Sequence, residues 1–232
     1  MLTRYHRPGS LMPVDQITRQ LNLTEDRSLR RTLSREQHRL RVMPRRIFFF
    51  GLSVFGILWG FTALAEKGSH LLATAIFWLV LTMPMLLWAY TSASSDVKAA
   101  VSQIQNALVR NEVRVIQIKS HEMLDFEEGE DEGACYAFQL DNNEVVFISG
   151  QDYYRSSRFP NSDFCLNQIL DNDGKVVEEL ISKRGRKLEP LRTISAGVRL
   201  KLRVPDHLEV IRGRLENLEA ILANDGPQFR PL

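Results

Sequence analysis

The sequence predicts an α+β membrane protein in which a hairpin of two transmembrane helices precedes a small, mostly antiparallel β barrel or sandwich with flanking helices. Three observations lead to this fold class. Residues 47–65 and 71–90 form two long uncharged apolar runs, residues 112–204 contain short runs of period two separated by turn residues, and helical patterns flank that segment. The average composition, 44% hydrophobic and 25% charged, conceals this division.

Length and composition exclude several classes of protein. A chain of 232 residues is too short for a large polytopic transporter, and two cysteines are too few for a disulfide-stapled secreted module. The apolar content is too high for a wholly disordered chain, and the sequence has no internal repeat. These exclusions leave the function open.

Each apolar run is long enough to cross a bilayer. Residues 47–65 would form a helix of about 28 Å, close to the hydrocarbon thickness of about 30 Å, and residues 71–90 are one residue longer. Only five residues connect the two runs, so the helices must be antiparallel. We therefore predict a transmembrane hairpin over residues 47–91.

The distribution of basic residues predicts the orientation of this hairpin. Residues 1–46 contain 11 Arg, no Lys and four acidic residues, a net charge of +7, whereas the connecting turn has one Lys and one Glu. Because Lys and Arg accumulate on the cytoplasmic side, both termini are expected there. The predicted location is the bacterial inner membrane. The mitochondrial inner membrane is the alternative, since an Arg-rich, Lys-free N-terminus is also typical of presequences.

Two glycines of the first apolar run have the spacing that allows close helix packing. Gly56 and Gly60 form a GxxxG pattern, which leaves two bare backbone patches on one helix face. This face could pack on the second helix of the same chain or on another copy of the protein. The expected partners of the hairpin are therefore the lipid bilayer and, in a homo-oligomer, another copy of the chain.

The segment 1–46 is predicted to be a cytoplasmic amphipathic segment rich in Arg, broken near Thr24, which could cap a second helix. Such a helix can lie on anionic headgroups, or it can simply be the positive flank that orients the hairpin. Nucleic acid is an unlikely partner on this evidence, because no aromatic residues are interleaved to stack on bases.

The part of the chain that follows the hairpin has a net charge of −5 over residues 96–232. We predict a connecting helix over 92–111, a cytoplasmic β-rich domain over 112–204, an amphipathic helix over 205–223 and a tail over 224–232. The predicted strands of the domain cover residues 113–119, 134–140, 144–149, 164–170, 175–181 and 198–204. The turns Asp141–Asn143 and Asp171–Gly174 indicate two hairpins.

A run of acidic residues lies between the first predicted strands. The carboxylates belong to Asp125, Glu127, Glu128, Glu130, Asp131 and Glu132. They are weak candidates for a cation site, because the ligands do not alternate as in a calcium loop, and a metal is not predicted. A solvated hairpin tip that repels other sheet edges explains them as well, and a basic partner is a further alternative.

An aromatic and basic loop follows the strand 144–149. Tyr153, Tyr154, Arg155 and Arg158 have the composition of a protein-binding surface, although the same loop could be an ordinary packed corner. A second basic segment, residues 183–187, could face lipid phosphates or have no ligand. A protein partner on the cytoplasmic side is therefore expected, with the loop as its binding site.

The sequence offers little support for catalysis. Cys135 and Cys165 are too far apart for a metal motif and are expected to be reduced thiols in the core. A phosphate-binding glycine loop, a serine nucleophile elbow and a paired-acid constellation are all missing from the sequence, so we predict no catalytic residue and no cofactor. Whether the protein is an enzyme stays undecided, with the balance against it.

Together these features predict a membrane-anchored cytoplasmic binding or scaffold module that is not catalytic. Two alternatives stay open. Several hairpins could assemble into a membrane pore or gate, or the cytoplasmic domain could be a membrane-anchored enzyme with an unrecognised site.

Overall fold

The computed structural model describes residues 15–65, 71–129, 132–223 and 229–232. The elements follow in the order β1 (Asp15–Gln20), α1 (Leu23–Ala65), α2 (Leu71–Arg110), β2 (Glu112–Lys119), β3 (Met123–Phe126), β4 (Ala134–Leu140), β5 (Glu144–Gly150), β6 (Asp163–Leu170), β7 (Val176–Lys183), β8 (Thr193–Ile194), α3 (Ala196–Arg199), β9 (Glu209–Arg212), α4 (Leu218–Ala223) and β10 (Arg230–Pro231). Two long helices and a domain of sheets confirm the predicted α+β class.

The chain divides into two compact units. The helical unit contains Leu21–Asn111 and the tip of the β6–β7 hairpin, Leu170–Glu178. The sheet unit contains β1, Glu112–Ile169 and Glu179–Leu232. The helical patterns of the sequence and the patterns of period two therefore fall largely into separate units.

Helix α1 begins with a capping box. The side-chain oxygen of Asn22 accepts hydrogen bonds from the backbone N–H groups of Thr24 and Glu25, both at 2.9 Å. The Glu25 carboxylate in turn accepts the N–H of Asn22 at 2.9 Å. The cap is therefore Asn22 and not Thr24. From this cap the helix continues without interruption past Pro44 to Ala65.

The predicted segment 1–46 is corrected accordingly. Residues 1–14 lie outside the described residues, residues 15–20 form strand β1, and the Arg-rich residues from 23 onward belong to the same helix as the first apolar run. The predicted connecting helix 92–111 is likewise a continuation of the second apolar helix, which ends at Arg110. Asn111, in a left-handed conformation at φ 55°, terminates it.

The two long helices pack along each other within the helical unit. Gly51 of α1 is buried, and a Cβ atom at this position would lie only 2.3 Å from a methyl carbon of Leu86 of α2. Val97 and Ile104, which are seven residues apart and therefore form an apolar stripe on one face of α2, are buried as well. Close helix contact thus occurs where a glycine or an apolar stripe permits it.

The last turn of α2 and the start of α1 contact the tip of the β6–β7 hairpin. The Arg110 guanidinium donates to the carbonyl oxygens of Asp171 and Asn172 at 2.6 and 3.0 Å. The Ser28 hydroxyl donates to the Glu178 carboxylate at 2.6 Å. These hydrogen bonds explain why the hairpin tip belongs to the helical unit.

The strands form a four-stranded sheet in the order β1-β2-β6-β7 and a six-stranded sheet in the order β10-β9-β5-β4-β3-β8. Neighbouring strands pair antiparallel in β1–β2, β2–β6, β3–β4, β4–β5, β5–β9 and β9–β10, and parallel in β3–β8. The sheets are open, and no closed barrel forms within the described part of the chain.

An apolar core lies between the inner residues of the two sheets. Ile116 and Phe164 of the four-stranded sheet belong to the same buried cluster as Phe138 and Ile148 of the six-stranded sheet. The opposite face of the six-stranded sheet is covered by a second cluster, to which Leu215, Leu218 and Leu222 contribute. Because both faces are buried, β4 and β5 read as nearly continuous apolar runs rather than as alternating ones.

The predicted strand 198–204 is wrong. This segment contains helix α3 and successive turns, with Leu200 largely exposed. The reason is a set of nonlocal contacts. The Glu127 carboxylate accepts the N–H of Ala196 at 3.0 Å, and the Arg199 guanidinium donates to the Glu127 carbonyl oxygen at 3.0 Å. Such contacts leave no trace in a local hydropathy pattern.

The predicted helix 205–223 is correct only at its end. Residues 209–212 form strand β9, paired with β5, and the helix is limited to Leu218–Ala223. The apolar stripe of the predicted helix is buried throughout, in Leu208, Ile211, Leu215, Leu218 and Leu222. Val210 and Ile211, however, face opposite cores as in a strand. Gly213, at φ 150°, separates the strand from the helical turns.

Candidate interaction surface

The loop that follows β5 is anchored in the core by aromatic side chains. Phe159 is 1% exposed, and its ring centroid lies 5.5 Å from those of Tyr136 and Phe164. Tyr153 is also buried, with its ring 6.1 Å from that of Phe159. Tyr153 is therefore a core residue. Contrary to the prediction, it does not belong to an exposed recognition surface.

The polar end of Tyr153 belongs to a hydrogen-bonded cluster in the sheet unit. His207 Nδ1 accepts the N–H of Ser149 at 3.2 Å, so the ring proton is on Nε2, which lies 3.2 Å from a carboxylate oxygen of Glu179. The same carboxylate accepts the Tyr153 hydroxyl and, at 2.7 Å, the side chain of Gln168. Every donor in the cluster is used internally, which indicates a structural role.

Between the two aromatic anchors the chain bulges outward. Tyr154 is half exposed, and its hydroxyl donates to the Glu128 carboxylate at 2.8 Å. Arg155 forms an ion pair with Glu189, and Arg158 is exposed. The structure thus divides the predicted binding residues into one buried anchor and three surface side chains.

The basic turn 183–187 lies directly beside this loop. The side-chain amide of Asn161 donates to the Gly185 carbonyl oxygen at 3.0 Å and accepts the Gly185 N–H at 2.9 Å. Ser162 binds the backbone of Arg186 through two further hydrogen bonds. The Ser162 N–H donates to the Arg186 carbonyl oxygen at 2.9 Å, and the Ser162 hydroxyl oxygen accepts the Arg186 N–H at 3.1 Å. The turn is therefore fixed on the loop by four hydrogen bonds.

Glycine is required at the centre of this turn. A Cβ atom at Gly185 would lie 2.3 Å from the Ser162 hydroxyl oxygen and 2.6 Å from the backbone nitrogen of Asp163. Because one of these neighbours is backbone, a larger residue could not be accommodated by a side-chain rotation. The close approach of the turn to the loop depends on this residue.

The loop and the turn together present six cationic side chains, which we call the basic rim. Its members are Arg155, Arg158, Lys183, Arg184, Arg186 and Lys187. In the part of the chain that the structure describes, Glu189 is the acid within ion-pair distance of the rim, close to Arg155 and 3.5 Å from Lys187. The rim therefore carries a clear excess of positive charge on a unit whose sequence is acidic overall.

Three members of the rim have unpaired guanidinium groups. Among the described residues, no carboxylate lies within 4.0 Å of Arg158, Arg184 or Arg186. Their backbone is held by the hydrogen bonds of the turn and loop, so binding an anion would not require this surface to become ordered. Sequence reasoning identified both basic segments but could not show that they are adjacent.

The acidic segment is mostly engaged by the sheet unit itself. The Glu128 carboxylate accepts the N–H of Gly133 at 3.0 Å, and Glu132 forms an ion pair with Arg199 at 2.7 Å. Burial raises the pKa of Asp125, an effect that the positive charge of Arg155 opposes. These carboxylates hold neighbouring segments of the domain together.

No group of three metal-ligating side chains occurs among the described residues. The weak cation candidates Glu130 and Asp131 lie outside those residues, whereas Glu127, Glu128 and Glu132 are bound to protein donors. Among the described residues of this segment, Glu132 pairs with Arg199, which lies in the predicted strand 198–204.

Both cysteines are free and buried in the sheet unit. Burial raises the pKa of the Cys135 thiol to about 11, and burial also raises the pKa of Cys165, with the charge of Arg184 acting in the opposite direction. The thiolate is the reactive form, so both side chains are poor nucleophiles at neutral pH while the unit is folded.

Gly56 and Gly60 are not where α2 approaches most closely. A Cβ atom at either glycine would have no neighbour within 4 Å, whereas a Cβ atom at Gly51 would overlap Leu86 of α2, so Gly51 permits the close approach within the chain. Packing between two chains stays a prediction.

A cavity of about 510 Å³ lies beside β9. Its lining includes Val210, Ile221 and Phe229, together with Glu144 and Arg230, whose charged groups pair at 3.2 Å. Glu144 and Arg230 offset each other, Arg212 adds one positive charge to the lining, and the cavity does not combine a nucleophile with a base.

Comparisons with protein-family models, with curated proteins and with solved structures find no match to this chain.

Proposed function

We propose that this chain is a membrane-anchored, non-catalytic binding protein whose sheet unit docks an acidic protein partner on the cytoplasmic side. The membrane anchor is supported by the two long helices. Both are long and apolar enough to cross a membrane, and almost none of the residues in their apolar segments is buried; Phe61 and Leu72, for example, are largely exposed. An exposed apolar surface of this size is unfavourable in water and favourable in lipid.

The proposed orientation places both termini in the cytoplasm. The basic residues before the first span and the single Lys and Glu of the connecting turn support this orientation. The membrane is the bacterial inner membrane in this proposal, and the mitochondrial inner membrane is the alternative.

Both helices extend well beyond their apolar segments. Residues 23–46 of α1 correspond to about 36 Å of helix, and residues 91–110 of α2 to about 30 Å. We call these two extensions the stalk. In the proposed orientation the stalk extends the two helices beyond the headgroup region on the cytoplasmic side.

The observation that carries the binding function is the basic rim. It presents the unpaired Arg158, Arg184 and Arg186 on a loop and a turn that are fixed to each other, and the same loop carries the half-exposed Tyr154. Tyr and Arg are enriched at the centres of protein interfaces, and an ordered surface loses little conformational entropy on binding. Attachment to the membrane would raise the local concentration of a partner that is itself membrane-associated.

Reversal of charge on the rim tests this proposal. We expect the triple variant Arg158→Glu, Arg184→Glu and Arg186→Glu to lower the recovery of a stoichiometric protein partner by about tenfold or more, because like charges then face each other across the interface. The measurement is quantitative affinity capture of the full chain from native membranes.

The matched control changes the same number of charges elsewhere in the sheet unit, in Lys201→Glu, Arg212→Glu and Arg214→Glu. These side chains are exposed and lie outside the rim, so partner recovery should equal that of the unaltered protein. Equal recovery with the rim variant and with the unaltered protein would refute the rim as the docking site.

A further inference from the structure

A second basic surface lies on the stalk, outside the basic rim. The basic residues of α1 that recur at spacings of three and four are Arg27, Arg31, Arg35, His38, Arg41 and Arg45, which we call the basic stripe. All six are exposed, and this spacing places them on one face of the helix. The buried residues Glu25 and Leu29 lie on the opposite face.

The arginines of the stripe are not neutralised by the protein. The two described ion pairs of this segment, Asp26 with Arg30 at 2.8 Å and Glu36 with Arg39 at 3.4 Å, use arginines outside the stripe. Among the described residues no carboxylate lies within 4.0 Å of the five stripe arginines. Like charges four residues apart destabilise a helix, so an external anion would relieve a repulsion that the folded chain retains.

The chemistry of the stripe favours phosphate groups over a protein surface. Protein interfaces have an apolar core rich in Tyr, Trp and Phe, but between Arg27 and Arg45 there is none of these residues and no exposed large apolar side chain. The stripe contains Arg and no Lys, and the planar guanidinium group binds phosphate oxygens in a bidentate manner. Contacts to a sugar–phosphate backbone need such groups and no apolar core.

The bilayer cannot supply these phosphates to the whole stripe. Along the helix, Arg31 and Arg27 lie about 24 and 30 Å from Ile47, where the apolar segment begins. The headgroup region is roughly 5–8 Å thick on each side, and charges are screened over about 8 Å at physiological ionic strength. In the proposed membrane orientation only Arg41 and Arg45 therefore remain near lipid phosphates.

We infer that the basic stripe binds the sugar–phosphate backbone of a double-stranded nucleic acid without reading its base sequence. This inference shares the membrane anchor with the proposed function but does not depend on a partner at the basic rim. Base stacking depends on side chains such as Phe, Tyr and Trp, which residues 27–45 lack. Contact with a duplex backbone does not need them, and basic residues that recur along one helix face can contact successive phosphates.

The test measures salt-dependent binding by the full chain. The protein is placed in nanodiscs of phosphatidylcholine, which has no net charge, and fluorescence anisotropy follows labelled 20-base-pair duplexes of DNA and of RNA, each in two unrelated sequences, between 50 and 200 mM KCl. We expect binding that is equal for the two sequences and weakens steeply with salt. The variant Arg27→Gln, Arg31→Gln and Arg35→Gln should reduce the slope of log K against log salt for DNA by about 2 to 3.

The matched control removes three charges from the basic rim, in Arg158→Gln, Arg184→Gln and Arg186→Gln, and should leave the slope unchanged. It also separates the two proposals, because this control impairs capture of the protein partner while the stripe variant does not. Circular dichroism verifies that helix content is equal in all variants. Absence of duplex binding at 50 mM KCl, or an unchanged slope in the stripe variant, would overturn the inference, and the arginines would then serve only to orient the hairpin.

Discussion

The variant Phe159→Ala is expected to destabilise the sheet unit by about 3–5 kcal/mol. Phe159 is almost completely buried and its ring contacts those of Tyr136, Phe138 and Phe164, so truncation removes a large apolar surface and leaves a cavity between the two sheets. The loop that carries Tyr154 would lose its anchor at the same time. This residue therefore links the stability of the core to the order of the basic rim.

The chain contains a native reporter for this measurement. All three Trp residues lie in the apolar segments, but both cysteines are buried in the sheet unit, so the rate of thiol labelling as a function of urea reports the free energy of unfolding of that unit alone. The variant Phe159→Leu, which retains part of the contact, should be destabilised less, and the surface variant Tyr154→Phe should differ from the unaltered protein by less than about 1 kcal/mol. Equal stability of Phe159→Ala and Tyr154→Phe would show that the loop is not anchored in this way.

The second large effect is expected at Gly133, which adopts a φ of +80°. A Cβ atom there would lie 2.5 Å from the carbonyl carbon of Gly150 and 2.6 Å from the backbone nitrogen of Gln151. Gly133→Ala should therefore combine the cost of a left-handed backbone, about 1–2 kcal/mol, with a steric cost of about 1–3 kcal/mol. The expected total is about 2–5 kcal/mol.

Gly174 provides the matched control for Gly133. Its φ is nearly the same, +79°, but a Cβ atom at this position would meet nothing within 4 Å. Gly174→Ala should consequently cost about 1–2 kcal/mol, the conformational part alone. The measurement is again thiol labelling in urea, and equal destabilisation of the two variants would contradict the close approach of the chain at Gly133.

The elements best predicted from the sequence are those whose signals are local. Strand β4 has the predicted bounds 134–140, and β5 begins at the predicted residue 144, because the Asp141–Asn143 turn separates two apolar runs. The long helices were also recognisable from their apolar segments. Their extension into the stalk was less evident, since a stretch of mixed Arg and Leu is compatible with a separate surface helix.

The errors occurred where distant segments determine the structure. Val210 and Ile211 form part of a strand because β5 offers a pairing edge, and the segment around Arg199 turns because Glu127 and Glu132 bind it. Neither effect has a local signature. The same reason applies to the rim, whose two halves are 25 to 32 residues apart in sequence and are joined through the hydrogen bonds of Asn161 and Ser162.

The cluster of Tyr153, Glu179 and His207 was missed for a related reason. These residues come from three separate segments of the chain, and each is ordinary in its own sequence context. Their spacing matches no motif for catalysis or metal binding. Only the fold brings the imidazole, the phenol and the carboxylate together, and the tautomer of His207 follows from a backbone N–H that a sequence cannot place.

Sidedness in the membrane tests the central claim of this account most directly. A single cysteine introduced at Ser69, between the two apolar runs, or at the exposed Ser157 of the sheet unit can be labelled in intact cells with a membrane-impermeant maleimide, since Cys135 and Cys165 are buried. A membrane-anchored protein with a cytoplasmic sheet unit requires labelling at position 69 from outside, and labelling at position 157 only after the membrane is permeabilised. Labelling of position 157 in intact cells, or release of the protein from membranes by alkaline carbonate, would contradict the account.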